Sequence, residues 1–217
     1  MPPELGLFLE RTWRMHPDIT SFTSEMFYTG ALESEPGNER QWLRGKGLLD
    51  GVGVRYLAVT HQTRDDTSSE DEATAVVAMV GELLAADPTW IDRLGDPHDL
   101  LQSDILVLAP YNDHRILIED RLRESGFPGV RVGSVDKFQG QQAPISIYAM
   151  GASSAEDAPR GMDFLYSLNR LNVATSRARC ITVLVASPEL TKVACHSPRQ
   201  MQLANALCRL VEVAKAP

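Results

Sequence analysis

Runs that favour β-strands alternate with segments of helical periodicity along almost the whole chain. The clearest strand is the continuous apolar run DILVLAP at 104–110, which has the pattern of a strand buried on both faces. Further strands are predicted over 54–59, 130–135, 145–150 and 181–186. Helices are predicted over about 18–28, 70–86, 112–125, 163–178 and 198–214. This alternation predicts an α/β fold in which helices cover both faces of a mostly parallel sheet.

The remaining segments carry weaker signals. Residues 33–53 are rich in glycine and mixed charge, which predicts a surface loop or hairpin. An irregular connection is predicted over 87–103, and an edge strand or docking segment over 5–9. Ser69 followed three residues later by Glu72 predicts a capping box at the start of a helix. We expect one domain over residues 1–217, ending in a helical segment at 195–217.

Composition excludes several classes of protein. The 217 residues contain no apolar run of the ~20 residues that a membrane helix requires. The first residues have neither a basic start nor a long apolar stretch, so we expect a cytoplasmic protein. Three separated cysteines without a CxxC pair indicate reduced thiols and no zinc site. A net charge of −8 argues against coating nucleic acid by bulk electrostatics, but it permits a local track of phosphate contacts.

Ligands of parallel α/β sheets bind at the carboxyl ends of the strands, which directs attention to the loops after 59, 109, 134, 150 and 186. Four stretches lie beside predicted strand ends and are expected to meet near one rim: TWRMHP (12–17), LAPYNDH (108–114), GSVDKFQGQQAP (133–144) and NRLNVATSRAR (169–179). Their arginines, Arg14, Arg177 and Arg179, could bind phosphate. Trp13 could stack on a base or serve as a core or interface anchor.

In order and spacing, these stretches resemble the motifs of the second motor domain of superfamily 1 helicases. WRMHP, VDKFQGQQ and RLNVATSRAR resemble three of the motifs, and APYN resembles a segment between them. The resemblance covers residues 5 to about 190 and is closest to the branch that includes the nonsense-mediated decay helicase. It implies a RecA-like fold of the P-loop NTPase type, with three layers. Residues 156–180 look most like bacterial proteins in which such a motor is fused to a RecB-like nuclease.

The resemblance also implies roles for residues that would bind ATP. Trp13 stands where the family stacks an aromatic ring on adenine, and Arg14 stands where it contacts the γ-phosphate. Gly140 lies where backbone approaches the phosphates, and Gln142 replaces a glutamate that holds the ribose. Arg177 occupies the position of the arginine finger, which stabilises charge on the transferring phosphoryl group. An uncharged amide at 142 implies a weaker hold on the nucleotide.

A second set of positions corresponds to contacts with a nucleic-acid strand. These are Tyr111, Asn112 and Ser134, with Lys137 either binding phosphate or facing solvent. His114 departs from the family pattern, which has glutamine there. The segment GDPHDL at 95–100 looks like a further helicase motif but occurs in the wrong order, so we predict a turn there.

No G-x-x-x-x-G-K-[ST] sequence occurs in the chain. The resemblance therefore implies that ATP and Mg²⁺ are held mainly by a first RecA-like domain outside this chain. We expect this chain alone to have no ATPase activity. The expected partners are that domain, single-stranded DNA (with RNA as an alternative) and a fused nuclease, without a membrane. The alternative function is a free-standing module that binds nucleic acid or protein without catalysis.

Overall fold

The computed structural model describes residues 9–138 and 140–214. The segment predicted as an edge strand or docking segment at 5–9 lies outside this part of the chain, apart from the exposed Leu9. The strands are β1 Arg11–Thr12, β2 Glu33–Ser34, β3 Trp42–Lys46, β4 Leu49–Gly51, β5 Gly53–Ala58, β6 Thr89–Ile91, β7 Pro97–Asp99, β8 Ile105–Ala109, β9 Arg131–Ser134, β10 Ala143–Ala149 and β11 Ala178–Ala186. The α-helices are α1 Pro17–Phe27, α2 Glu70–Leu84, α3 Asn112–Glu124, α4 Met162–Leu165, α5 Leu168–Thr175 and α6 Pro198–Val213.

A parallel sheet of order β5–β11–β10–β8–β9 forms the centre of the fold. One face packs against α1, α4, α5 and α6 through residues such as Leu106, Tyr148 and Leu184. Alternate residues of the same strands, such as Val107 and Ile147, pack on the other face with α2 and α3. Because successive side chains of a strand point to opposite faces of the sheet, each strand contributes apolar residues to both faces. Both faces of the parallel sheet are therefore buried under helices. The predicted RecA-like fold class, an α/β domain of three layers with a mostly parallel sheet, is confirmed.

The capping box predicted at the start of α2 is half formed. The Oγ of Ser69 accepts a hydrogen bond from the backbone N–H of Glu72 at 3.4 Å. The carboxylate of Glu72, however, accepts bonds from His61, His114 and the backbone N–H of Gly151. The backbone N–H of Ser69 donates instead to Nδ1 of His114 at 3.3 Å. Glu72 therefore ties α2 to α3 and to the loop after β10.

The prediction of an irregular connection over 87–103 is wrong. This segment contains β6 and β7, which pair with each other and with β3 in an antiparallel sheet of order β4–β3–β6–β7. Within 33–53, β3 and β4 form an antiparallel hairpin, whereas β2 pairs with β1 in a separate sheet. Leu43 and Trp90 bury this sheet against α2. The strands β6 and β7 escaped prediction because each has three residues, too few to show alternation, and β7 is fully exposed. The turn predicted for 95–100 is wrong for most of that segment: Gly95, at φ 96°, belongs to the turn between β6 and β7, but residues 97–99 form β7.

The helix predicted over 163–178 is also incorrect in extent. The chain forms the single turn α4, leaves the helical conformation, and begins α5 at Leu168, where the Oγ of Ser167 accepts a bond from the N–H of Arg170. The last strand β11 begins at Ala178, three residues earlier than predicted. Arg177 therefore lies between a helix and a strand, where its position is fixed by both elements.

The cysteines are free thiols, with Cys180 buried in the sheet and the other two partly buried. Within residues 9–138 and 140–214, no helix combines the length and apolarity that a bilayer crossing requires.

Candidate functional site

The predicted site residues lie at two opposite ends of the parallel sheet, so the prediction of a single rim is wrong. Gln142 and Arg177 directly precede β10 and β11, at the amino ends of these strands. Tyr111 follows β8, and Ser134 ends β9, at the carboxyl ends. The two groups are separated by the length of the strands, roughly 20 Å. The stretch 133–144 spans both ends, because it leaves one strand and enters the next.

Arg14 is fixed at the amino end by two hydrogen bonds. Its Nε donates to Oε1 of Gln142 at 3.2 Å, and its Nη1 donates to the backbone oxygen of Ser176 at 2.7 Å. The residue precedes α1, whose backbone is joined to β11 by a bond from the N–H of His16 to the oxygen of Arg179. The side chain thus bridges three segments that are remote in sequence.

Arg177 is held beside it by backbone oxygens alone. Its Nε donates to the oxygen of Val173 at 3.1 Å, and its Nη1 donates to the oxygen of Gln141 at 3.3 Å. Among the described residues, neither Arg14 nor Arg177 forms an ion pair with a carboxylate. The resemblance predicted that these two arginines and Gln142 would share a site, and the structure brings them together.

Burial and mutual repulsion make this arginine group a candidate site for an anion. Burial lowers the pKa of Arg14, and the charges of Arg177 and Arg179 lower it further. Burial also lowers the pKa of Arg177. Partly buried like charges without counter-ions are unfavourable, and a bound anion would offset both the repulsion and the desolvation. The arrangement suits a phosphate group, for which arginine provides a planar fork of donors.

A cleft of about 450 Å³ opens beside these arginines. Its lining includes Trp13, Arg14, Tyr28, Gln142 and Arg177. The cleft is polar at the arginines and aromatic at Trp13 and Tyr28, so the residues present fit one side of a nucleotide. In the part of the chain that is described, no group of three or more His, Cys, Asp or Glu side chains could hold a metal ion.

Trp13 is 61% exposed at the edge of this cleft. The guanidinium carbon of Arg93 lies 4.8 Å from the centroid of its ring. Arg93 belongs to the turn between β6 and β7, and a second cavity of about 190 Å³ lies between this turn and Trp13. Sequence reasoning missed Arg93 because it falls in the segment predicted to be irregular. An exposed indole next to a cleft is suited to stacking on a planar ligand.

Gly140 lies in the loop that approaches the arginine group. It is exposed at φ 84°, a conformation that favours glycine, and an added Cβ would meet no atom within 4 Å. Its requirement for glycine is therefore conformational, and the loop leaves room for a ligand beside the backbone.

The carboxyl end presents fewer accessible groups than predicted. Tyr111 is only 5% exposed, its ring packs against Phe164 at 5.3 Å, and burial raises the pKa of its hydroxyl to about 12. Asn112 is exposed at the first residue of α3. The Oγ of Ser134 accepts a bond from the N–H of Lys137, whose exposed Nζ donates to the oxygen of Val132 at 3.4 Å. Asn112 and Lys137 are thus the predicted strand contacts that solvent reaches most easily.

His114 has a structural role in this fold. It is fully buried, and its Nε2 lies 3.1 Å from Oε2 of Glu72. The resemblance predicted glutamine at position 114, and the histidine found there instead pairs α3 with α2 through Glu72. The side chain is not available to a strand.

Comparisons with known proteins match the chain to helicases. The family model described as an AAA domain matches residues 3–189. An uncharacterized ATP-dependent helicase from Caenorhabditis elegans is 31% identical over 188 residues, covering 82% of this chain and 11% of that protein. Helicase sen1 of Schizosaccharomyces pombe is 27% identical, covering 83% and 10%. A regulator of nonsense transcripts 1 homolog of Drosophila melanogaster is 25% identical, covering 84% and 15%.

A solved structure also resembles the chain. The C-terminal domain of a possible DNA helicase from Lactobacillus plantarum WCFS1 superposes with a TM-score of 0.47 and 15% identity, covering 94% of this chain and 98% of that one. The chain spans between 10% and 15% of the length of the three curated relatives named above. Those relatives are eukaryotic, so they do not support the predicted closeness to bacterial nuclease-fused proteins.

Proposed function

This chain belongs to the AAA domain family, and we propose that it is the second RecA-like half of an ATP-dependent nucleic-acid helicase or translocase. The observation that carries the proposal is the meeting of Arg14 and Arg177 at one cleft without a carboxylate partner among the described residues. The helicase names of its relatives support a helicase-type domain.

At the amino end of the sheet, the chain would contribute one wall of a nucleotide site. Arg14 and Arg177 donate hydrogen bonds to phosphate oxygens, and Arg177 acts as the arginine finger. Trp13 stacks on the base, and Gln142 both orients Arg14 and binds the ribose. The bound ATP with Mg²⁺ supplies the phosphoryl group whose transfer to water releases the driving energy. The preformed hydrogen bonds of both arginines keep their donors in place before nucleotide arrives.

At the carboxyl end, Asn112, Ser134 and Lys137 would contact the backbone of a single strand of DNA, with RNA as the alternative. Contacts to the backbone are independent of sequence, as a translocating protein requires. The two sites lie at opposite ends of the same strands, so rigid movement of the parallel sheet would carry a change at one site to the other. A fused RecB-like nuclease is a further proposal that rests only on the sequence resemblance of residues 156–180 and 195–208.

The experiment measures ATP hydrolysis by this chain, by the first RecA-like domain of its parent, and by both together on single-stranded DNA. We expect activity only with both, because the chain has no phosphate-binding loop sequence. Arg177→Ala should lower the rate of the pair about 1,000-fold, and Arg14→Ala should lower it strongly. Arg44→Ala, at an exposed residue of β3, is the matched control.

Robust hydrolysis by the chain alone would contradict the proposal. Strand binding that is indifferent to the added domain, without any hydrolysis, would favour the free-standing binding module instead.

A further inference from the structure

Two arginines lie against one phenylalanine at the carboxyl end of the sheet. The guanidinium carbons of Arg160 and Arg170 each lie 4.2 Å from the centroid of the Phe164 ring. The two charges are therefore no further apart than twice that distance. Among the described residues, neither guanidinium has a carboxylate or a hydrogen-bond partner. Stacking on an aromatic ring holds these charges in place and leaves their donors free.

Other arginines of the surface are neutralised by carboxylates. Several of them pair with acidic residues on their own or a neighbouring helix, including the exposed Arg121, Arg123 and Arg199 and the partly buried Arg209. Arg64, close in space to the same loop, pairs with Asp157. In a chain of net charge −8, Arg160 and Arg170 thus form, like Arg14 and Arg177, a pair of cations without a carboxylate partner among the described residues. They create a local positive potential that attracts an anion.

The location of the pair provides an independent reason to expect a ligand. Phe164 packs on Tyr111, next to the exposed Asn112 and directly after the carboxyl end of β8. The helices that follow β8 and β10 pack on opposite faces of the sheet. In parallel α/β sheets, the crevice formed where neighbouring strands send their connections to opposite faces is the usual place for a ligand.

Unsatisfied polar atoms lie beneath this surface. The hydroxyl groups of Tyr111 and Tyr148 are buried and have no hydrogen-bond partner. Burial raises the pKa of both hydroxyl groups, and the positive charge of the nearby Arg170 lowers it. Buried hydroxyls without partners are rare in stable folds, and they occur at strained or functional positions or where a water or an ion is bound.

We propose that Arg160 and Arg170, stacked on Phe164, bind the phosphodiester backbone of a single-stranded nucleic acid at the carboxyl end of the sheet. The inference rests on the proposed function, and it extends the strand track beyond Asn112, Ser134 and Lys137 to the loop before α4 and to the first turn of α5. The free guanidinium donors bind phosphate oxygens, while the partly buried Phe164 holds both guanidinium groups in place.

The test is binding of a fluorescein-labelled oligothymidylate of roughly 20 nucleotides, long enough to cover the site of one domain. Fluorescence anisotropy is measured for the full chain over a series of salt concentrations. We expect R160Q/R170Q to bind about tenfold more weakly, and the slope of log K against log salt to fall by about 1.4, at roughly 0.7 for each lost phosphate contact. R44Q, which removes an exposed arginine of β3, should change neither the affinity nor the slope.

The outcomes separate this inference from the proposed function. Unchanged affinity and slope in the double variant, with binding by the natural chain, would overturn this inference alone. Absence of oligothymidylate binding by the natural chain at low salt would overturn both this inference and the strand track. Binding of a fluorescent ATP analogue at the Trp13 cleft tests the nucleotide site separately. If the double variant melts early, the single variants R160Q and R170Q are each expected to show about half of the change in slope.

Discussion

Nε of Arg14 donates a hydrogen bond to Oε1 of Gln142 at 3.2 Å, although the two residues lie 128 positions apart in the chain. The bond joins the segment before α1 to the segment before β10. Gln142 is thus a support for Arg14 as well as a candidate ligand for ribose. Where the family has glutamate, the same contact would be an ion pair.

We expect Gln142→Glu to strengthen nucleotide binding about fivefold. A carboxylate accepts stronger hydrogen bonds than an amide, by roughly 1 kcal/mol, both from ribose hydroxyls and from Arg14. It would also offset the repulsion from Arg177 and Arg179 that lowers the pKa of Arg14. The measurement is titration of the chain with a fluorescent ATP analogue.

Gln141→Glu is the matched control, since Oε1 of Gln141 accepts a bond from Arg131 and not from Arg14. It adds the same charge one residue away and should leave the affinity nearly unchanged. A loss of affinity in Gln142→Glu would show that neutralising Arg14 outweighs the gain at ribose.

Trp13→Ala should weaken binding of the same ATP analogue about tenfold, because stacking of one base contributes roughly 1–3 kcal/mol. Trp13→Tyr retains an aromatic face and should stay within about threefold of the natural chain. Trp42→Phe, at another exposed tryptophan, is the control for loss of an indole. Equal binding by Trp13→Ala and the natural chain would favour the alternative that Trp13 anchors an interface.

The parallel sheet could be predicted because its central strands are buried on both faces, so that β8 appears as an uninterrupted apolar run within 104–110. The antiparallel sheet could not, because its stability comes from contacts of Leu43 and Trp90 with α2 rather than from patterns within three-residue strands. Tertiary packing decides the structure of such short segments.

The resemblance predicted that Arg14, Gln142 and Arg177 lie together, as they do. The expectation that ligands bind at the carboxyl ends of strands, however, put them at the wrong end of the sheet. A sequence motif that spans a loop does not indicate which of the two strand ends its residues reach. No sequence pattern indicated that Arg93 lies beside Trp13, since this contact depends on the antiparallel sheet.

Glu72→Ala should lower the free energy of unfolding by about 3 kcal/mol. The carboxylate is fully buried and accepts bonds from His61 and His114 at 3.1 Å and from the N–H of Gly151 at 2.9 Å. Its loss leaves three buried donors without an acceptor. Urea denaturation measures the change, and Glu70→Ala, which removes an exposed carboxylate two residues away, should cause little change. Equal effects of both substitutions would refute a structural role for the buried network.

The same network predicts how stability depends on pH. Burial alone would raise the pKa of Glu72, but hydrogen bonds from His114 and His61 outweigh it, so the pKa lies below 4.5. Burial would lower the pKa of His61, but Glu72, Asp65 and Asp71 raise it above 6.5. The Glu72 contribution is lost as pH falls through its lowered pKa, and the His61 contribution is lost as pH rises through its raised pKa.

The stability that Glu72 adds should therefore be greatest between pH 4.5 and 6.5. Subtracting the unfolding free energy of Glu72→Ala from that of the natural chain at each pH isolates this contribution. A difference that stays constant from pH 4 to 8 would show that neither group changes its pKa on folding.

The antiparallel sheet should be sensitive to Gly45→Ala. A Cβ at Gly45 would lie 1.9 Å from the backbone oxygen of Leu49 and 2.7 Å from Cδ1 of Leu83. Relief of the first contact requires β3 and β4 to separate, so we expect a loss of at least 2 kcal/mol in the free energy of unfolding. Gly95→Ala is the control: its φ of 96° is strained for alanine, but nothing lies near the added atom, so the cost should be about 1 kcal/mol.

Gly45→Ala should also weaken nucleotide binding in the part of the population that remains folded. The strand β3 pairs with β6, and the turn after β6 places Arg93 beside Trp13. Displacement of β3 therefore shifts one wall of the cavity at Trp13. Titration with the fluorescent ATP analogue below the melting temperature measures this effect. If affinity is unchanged while stability falls, the antiparallel sheet supports the fold without shaping the nucleotide site.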